Sequence, residues 1–198
     1  RDMTELDVAV ELEYAMRKNG ASAFAFDTIS VSGDASALPH GTPRNVKLRD
    51  GFLTMDFGAK FDGYCSDMTR TIVIGKADAE MKRLYDTVLK AQLAALDFIK
   101  EGINCRDADT VARDIINGAG YEGRFGHSLG HGVGLEIHEN PTLSAKCDKI
   151  LVPGNVVTVE PGIYLKGKYG CRIEDLVIIK EGEIRNLTKS PKELIEIC

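Results

Sequence analysis

The feature that most limits how this chain can fold is that it repeats itself, at an offset near 100 residues. A helix-like segment ending Asn19-Gly20 is echoed by one ending Ala119-Gly120. His40-Gly41-Thr42-Pro43 is echoed by His138-Glu139-Asn140-Pro141, and the run from Gly51 to Asp56 by the run from Gly154 to Glu160. Each half then supplies a second carboxylate, Asp67 and Glu174. Three matches in the same order argue against chance. A repeated unit that cannot bury its apolar face alone packs against its copy. The reading is two αβ halves around a pseudo-twofold axis, with a site between them built from both.

Local patterns fill in the halves. Thr4 ahead of Leu6, Val10 and Tyr14 signals a capped helix that stops at Asn19-Gly20. Residues 27–32 read as a short strand, and 33–50, with Gly33, Pro39, Gly41, Pro43 and Asp50-Gly51, as a loop. Met81, Leu84, Tyr85, Val88, Ala95, Leu96 and Ile99 recur at helical spacing and predict a helix over 78–101, closed by Gly102. A shorter helix over 107–117 would turn Val111 and Ile115 inward. Residues 155–160 and 171–180 read as strands.

Asp62-Gly63 between the β-rich runs 53–61 and 64–74 is a strong hairpin signal. A two-residue turn there sets Phe61 opposite Tyr64, so facing positions add to 125 and Asp56 faces Thr69. Asp67 has the parity of Thr69, so Asp56 and Asp67 share one sheet face unless a bulge intervenes. In the second half, an odd-length loop centred on Gly167 sets Glu160 opposite Glu174. Pro161 holds Glu160 extended. Like charges on one face repel. Four carboxylates in a repeated arrangement make sense around two divalent cations, which in such sites lie roughly 3.5–4 Å apart.

Histidine is scarce: His40, His127, His131 and His138 are the four in the chain, and the last three fall within residues 126–138. His127 and His131 have the spacing of a helical zinc pair, but Gly126, Gly130, Gly132 and Gly134 argue against a helix. Those glycines instead let a backbone, a substrate or a metal come close. The segment lacks the Gly-Lys-Ser/Thr ending of a phosphate loop. Oxygen donors with a single imidazole suit Mn(II), Fe(II), Co(II) or Zn(II) rather than a soft thiolate metal. Metal-assisted hydrolysis is the reaction class that follows.

Composition bounds the rest. At 198 residues, 43% hydrophobic and 28% charged, the chain has the content of one ordinary globular domain. No run of 18 apolar residues suggests a membrane span. A net charge of −5 runs against a general nucleic-acid binder. Five cysteines without a C-x-x-C spacing, behind an opening that has no signal-like pattern, read as reduced thiols of a cytoplasmic protein.

Several segments together resemble the pita-bread metallopeptidases, in particular the Xaa-Pro dipeptidase and aminopeptidase branch. They are Leu38-Pro39-His40, Asp56 to Ala59, Gly63 to Thr71, Gly130 to Glu139, Val159 to Tyr164 and Arg172 to Asp175. The resemblance implies an α+β pita-bread fold, with two pseudo-symmetric αβ halves around a central curved antiparallel sheet. It implies five metal ligands: Asp67 and Glu174 bridging two ions, Asp56 on one, His131 and Glu160 on the other. Mn(II) or Co(II) would be the usual pair, with Zn(II) or Fe(II) as other candidates. His40 and His138 would flank the scissile carbonyl, His127 would bind on the proline side, and Arg172 would buttress the bridging carboxylates. The implied substrate is an Xaa-Pro dipeptide or peptide.

Methionine aminopeptidases share the fold and the ligands, but the Leu-Pro-His and Arg-Ile-Glu-Asp segments look more like the Xaa-Pro side. A non-catalytic binding module on the same fold is the alternative of another kind, and five retained ligands weigh against it. The resemblance also implies a separate N-terminal domain and a further helix ahead of residue 1. Residues 1–198 therefore read as one catalytic domain of a longer protein, a homodimer at full length.

Overall fold

The repeat reappears in how the strands pair. The protein is described by a computed structural model covering residues 2–198. The first half runs α1 (Glu5–Lys18), β1 (Ala23–Phe24), β2 (Ile29–Ser32), β3 (Gly51–Phe57), β4 (Ala59–Phe61), β5 (Tyr64–Cys65) and β6 (Met68–Ile74). Helices α2 (Ala79–Phe98) and α3 (Cys105–Ile116) follow. The second half holds β7 (Gly130–Gly132), β8 (Glu139–Leu143), β9 (Val156–Val159), β10 (Gly162–Leu165), β11 (Tyr169–Arg172), β12 (Asp175–Ile179) and β13 (Ile184–Asn186), and β14 (Glu196–Ile197) returns to β6. One sheet has the order β14-β6-β3-β2 and the other β13-β12-β9-β7-β8. The antiparallel core β2-β3-β6 of the first is matched by β7-β9-β12 of the second. The arrangement is α+β.

Both hairpin registers follow the turn chemistry. Asp56 faces Thr69 and Phe61 faces Tyr64, as a two-residue turn requires. The strands break at Gly58 and at Ser66-Asp67, yet the register is the same on either side of the break. In the second half, facing positions add to 334 in both β10-β11 and β9-β12. Glu160 and Glu174 lie in the gap between those two ladders. The 171–180 strand is in fact two, parted at Ile173-Glu174.

Two glycines allow equivalent close approaches. A Cβ on Gly58 would lie 2.0 Å from the carbonyl oxygen of Ser66, and one on Gly130 would lie 2.0 Å from that of Thr158. No side chain fits at either place.

The helices are capped as the sequence indicates. Thr4 and Asp7 form a reciprocal capping box on α1, and the side chain of Asp78 accepts from the Met81 amide at the start of α2. The apolar face of α2 is buried, whereas the apolar stripe of α1 lies on its outer face. Leu6, Val10 and Tyr14 are 45, 53 and 60% exposed, and α1 turns Glu5 and Ala9 inward. The Glu5 carboxylate is the reason. It accepts from the Ser32 amide and hydroxyl and from the backbone and guanidinium of Arg44, which fixes the roll of the helix. Helix α3 starts earlier than expected, at the Asn104 cap, and buries Cys105, Ala108, Asp109, Ala112 and Ile116. Val111 and Ile115 sit at the edge of the interface. Here too a carboxylate, Asp109, faces inward.

One apolar cluster joins α2, α3 and the second half (Leu84, Val88, Ile116, Leu129, Val157, Ile163 and Val177 among others) and takes in Phe52 and Val73 from the first. Burying each large side chain contributes about 1.5–3 kcal/mol. No helix among the described residues is long and apolar enough to cross a membrane. All five cysteines are free thiols.

Candidate metal centre

All nine residues singled out in the sequence line one cleft of about 770 Å³: His40, Asp56, Asp67, His127, His131, His138, Glu160, Arg172 and Glu174. The two halves meet there. The Glu174 amide donates to the carbonyl of Thr69 across the junction (3.1 Å), and the Thr69 hydroxyl donates to Glu174 Oε2 (2.6 Å). Asp67, His131 and Glu174 can each offer a donor atom within 4.8 Å of the other two.

His131 is oriented by its neighbours. Its Nδ1 lies 3.0 Å from the carbonyl of Gly132, which can only accept, so the proton is on Nδ1 and Nε2 keeps its lone pair. Nε2 points at Asp67 Oδ2 (3.5 Å) and Glu160 Oε1 (3.4 Å). The Thr158 hydroxyl accepts from the His131 amide and donates to Glu160 Oε1, linking the two across β7 and β9. The Glu160 amide is held by the carbonyl of Leu129.

Arg172 is the one cation buried among these acids. It donates to Asp56 Oδ2 (2.6 Å), to the hydroxyls of Thr69 (3.0 Å) and Tyr164 (2.7 Å), and to the carbonyl of Pro39 (3.1 Å). It therefore touches Asp56 directly and reaches Glu174 through Thr69. With its hydroxyl accepting from Arg172, Tyr164 donates its own proton to His127 Nε2 (2.9 Å), and His127 Nδ1 donates to the carbonyl of Ser128 (2.9 Å). Both nitrogens of His127 are thus engaged within the protein. Its pKa is pushed down to about 4, chiefly by burial and then by Arg172, so the ring is neutral. The His138 ring lies 4.3 Å from that of His131, and His40 is exposed at the cleft wall.

The acids are under strain without a counter-charge. Burial pushes Asp67 up to about 9, reinforced by Asp56 and Glu160. Burial also raises Glu160 to about 7, and it holds Glu174 well above the usual carboxylate range, with Asp67 adding to the effect. Burial lowers the pKa of His131, which favours the neutral, ligating ring. Asp56 Oδ1 is buried with no hydrogen-bond partner. An orphaned carboxylate oxygen, four converging acids against one guanidinium and an imidazole lone pair aimed among them fit divalent cations.

Three contributors escaped the sequence reading. Thr69 was used only to set the register, Thr158 lies two residues from Glu160 and so on its face, and Tyr164 stood in a quoted segment without a role. Strand parity is the signal that could have found Thr69 and Thr158, which share faces with Asp67 and Glu160.

The comparisons place this geometry in a class. The model of metallopeptidase family M24 matches residues 1–181. A protein of Pyrococcus furiosus named Xaa-Pro dipeptidase is 46% identical over 96% of this chain and 55% of its own length. Among solved structures, an Xaa-Pro dipeptidase from Bacillus anthracis superposes with a TM-score of 0.96 at 50% identity, covering 98% of this chain and 55% of that one. An X-Pro aminopeptidase from Thermotoga maritima gives 0.95 at 47%, covering 98% and 56%. The fold is the pita-bread fold, and the class is that of metal-dependent peptidases. The chain belongs to metallopeptidase family M24 and spans about half the length of the curated relatives it matches.

Proposed function

We propose that the protein hydrolyses the peptide bond between an N-terminal residue and proline, using two divalent metal ions. The observation that carries the reading is the convergence of Asp56, Asp67, His131, Glu160 and Glu174 from both halves on one cleft, with Asp56 Oδ1 buried without a partner and the His131 lone pair directed at Asp67 and Glu160. The names of its relatives, Xaa-Pro dipeptidase and X-Pro aminopeptidase, support the substrate class. Bound divalent ions, Mn(II) or Co(II) before Zn(II) or Fe(II), supply Lewis acidity and offset the mutual repulsion of the acids.

In this reading Asp67 and Glu174 would help hold both ions, Asp56 would serve one, and His131 and Glu160 the other. Arg172 and Thr69 orient Asp56 and Glu174. His40 and His138 donate to the oxygen of the scissile carbonyl as it gains charge. His127, its nitrogens tied to Tyr164 and Ser128, offers its ring as a wall on the proline side. The reading extends to a cytoplasmic enzyme that is a homodimer at full length.

The test is elemental analysis after Mn(II) loading, beside hydrolysis of Xaa-Pro dipeptides, an Xaa-Pro tripeptide and a Met-Ala peptide. About two ions per chain with cleavage before proline is the expected result, and the length preference separates dipeptidase from aminopeptidase. Faster cleavage of Met-Ala would replace the reading by a methionine aminopeptidase. Absence of bound metal would replace it by a binding module.

A further inference from the structure

The segment that carries His127 into β7 is held by a partly buried ion pair. Asp109 is 1% exposed on the inner face of α3, and Arg113, one turn on, grips it with two parallel bonds of 2.8 and 2.9 Å. The same guanidinium donates to the carbonyls of Phe125 (2.8 Å) and His127 (2.9 Å), and Asp109 Oδ1 accepts from the Leu129 amide (3.0 Å). Alternate residues 125, 127 and 129 are therefore fixed by one pair of side chains. Arg113 also stacks over the Phe125 ring at 4.4 Å, and the edge of that ring meets His127 at 5.0 Å and 88°. Beyond the clamp, the carbonyl of Leu129 holds the amide of Glu160.

Stability alone is a weak reason for such a pair. Stripping water from the Asp109 carboxylate offsets much of its attraction to the half-buried Arg113, and an apolar side chain of similar volume would serve the core as well. What apolar residues cannot supply is three directional bonds to one irregular segment. The first half has a matching device. Glu5, fully buried on α1, binds Arg44 and Ser32 and so ties down the loop that carries His40. In each half an inward helix carboxylate and an arginine fasten the segment bearing a cleft histidine.

We propose that Asp109 and Arg113 are a positioning pair that sets the place of His127 in the cleft, and with it the fit of the proline side of the substrate. The kinetic part of this rests on the peptidase reading above; the placement of the ring does not. Asp109→Ala risks loss of the fold, so the informative variants are Arg113→Lys, which keeps the charge and loses the fork, and Asp109→Asn, which keeps the shape.

Two measurements decide it. Histidine ring resonances are recorded by NMR on the Zn(II)-loaded chain, because Zn(II) is diamagnetic. The His127 signal should move in both variants while that of His40 stays. On Xaa-Pro dipeptides, KM should rise about tenfold with kcat changed less than about threefold, the mark of lost substrate placement. A pair that only stabilised the fold would lower Tm and apparent kcat together, leave KM unchanged and leave the His127 signal where it was; that result overturns the proposal. If the parent protein cleaves no Xaa-Pro bond, the peptidase reading falls, and the His127 signal still decides whether the pair positions the ring.

Discussion

The two halves hold their carboxylates in equivalent registers but are built with unequal support. In the first, Asp56 lies inside β3 and Asp67 in the break between β5 and β6. In the second, both strands break, at Glu160-Pro161 and at Ile173-Glu174, and the register carries across the gap. The second half is packed under α2 and α3 with most of the apolar cluster. The first has α1, which buries Glu5 and Ala9 and leaves an apolar stripe outside. Turn geometry and strand parity thus suffice to place a carboxylate, whatever covers the back of the sheet. Cohesion is a separate property, and it is concentrated on one side.

The sharpest test of equivalence is to remove the same kind of ligand from each half. Asp67→Ala and Glu174→Ala should each abolish metal-dependent hydrolysis, a loss above about a thousandfold, with metal content below two ions per chain by elemental analysis. Wild-type activity in either variant would break the pairing of the halves at the site. Unequal support should appear in stability. Leu84→Ala, in the fully buried face of α2, should cost about 2–5 kcal/mol in denaturant unfolding, whereas Val10→Ala on the exposed stripe of α1 should cost under about 0.5 kcal/mol. Similar costs at the two positions would refute the contrast.

The smallest effect concerns pH. Asp67 titrates near 9 and Glu160 near 7 in the fold, against ordinary values of 3.8 and 4.5 when unfolded. Between those limits the folded state binds more protons than the unfolded one, so stability falls as pH rises. Each such proton is worth about 1.4 kcal/mol per pH unit, or about 3 °C in Tm for a chain of this size. Without metal, Tm should therefore fall by at least about that much per unit from pH 7 to 9, where Asp67 keeps its proton in the fold and the opposing titration of His127 is complete. With metal bound the slope should flatten. A metal-free Tm that rises over this range would show that the acids do not repel one another as the geometry requires.

What could be read in the sequence follows the same division. Strand parity and a two-residue turn are short-range rules, and they placed Asp56 opposite Thr69 and Glu160 in register with Glu174. Roles for individual histidines came from resemblance, because no local pattern distinguishes His127 from His131. The helix faces were misread where a charge points inward. Apolar periodicity marks α1 as a helix but does not set its roll, since Glu5 is buried by partners 27 and 39 residues away. Asp109 hid the true inner face of α3 in the same way, and with it the clamp on the His127 segment. Hydroxyl bridges such as Thr69 and Thr158 acquire meaning only once the strands are aligned.

The aligned halves also differ at the residues that give the cleft a direction. Val31 pairs with Thr54 in the first half, and by the equivalent register His131 lies opposite Thr158 in the second, so a buried valine stands where the other half has its cleft imidazole. By the same count Asp27, on the cleft wall, corresponds to His127. A strictly twofold cleft would receive an extended peptide equally well forwards or backwards. Under the proposed function, an acid at one end and a neutral ring at the other would remove that degeneracy and send a cationic amino terminus and an uncharged imide to opposite ends. The repeat shapes the vessel, and its departures from symmetry would give it a head and a tail.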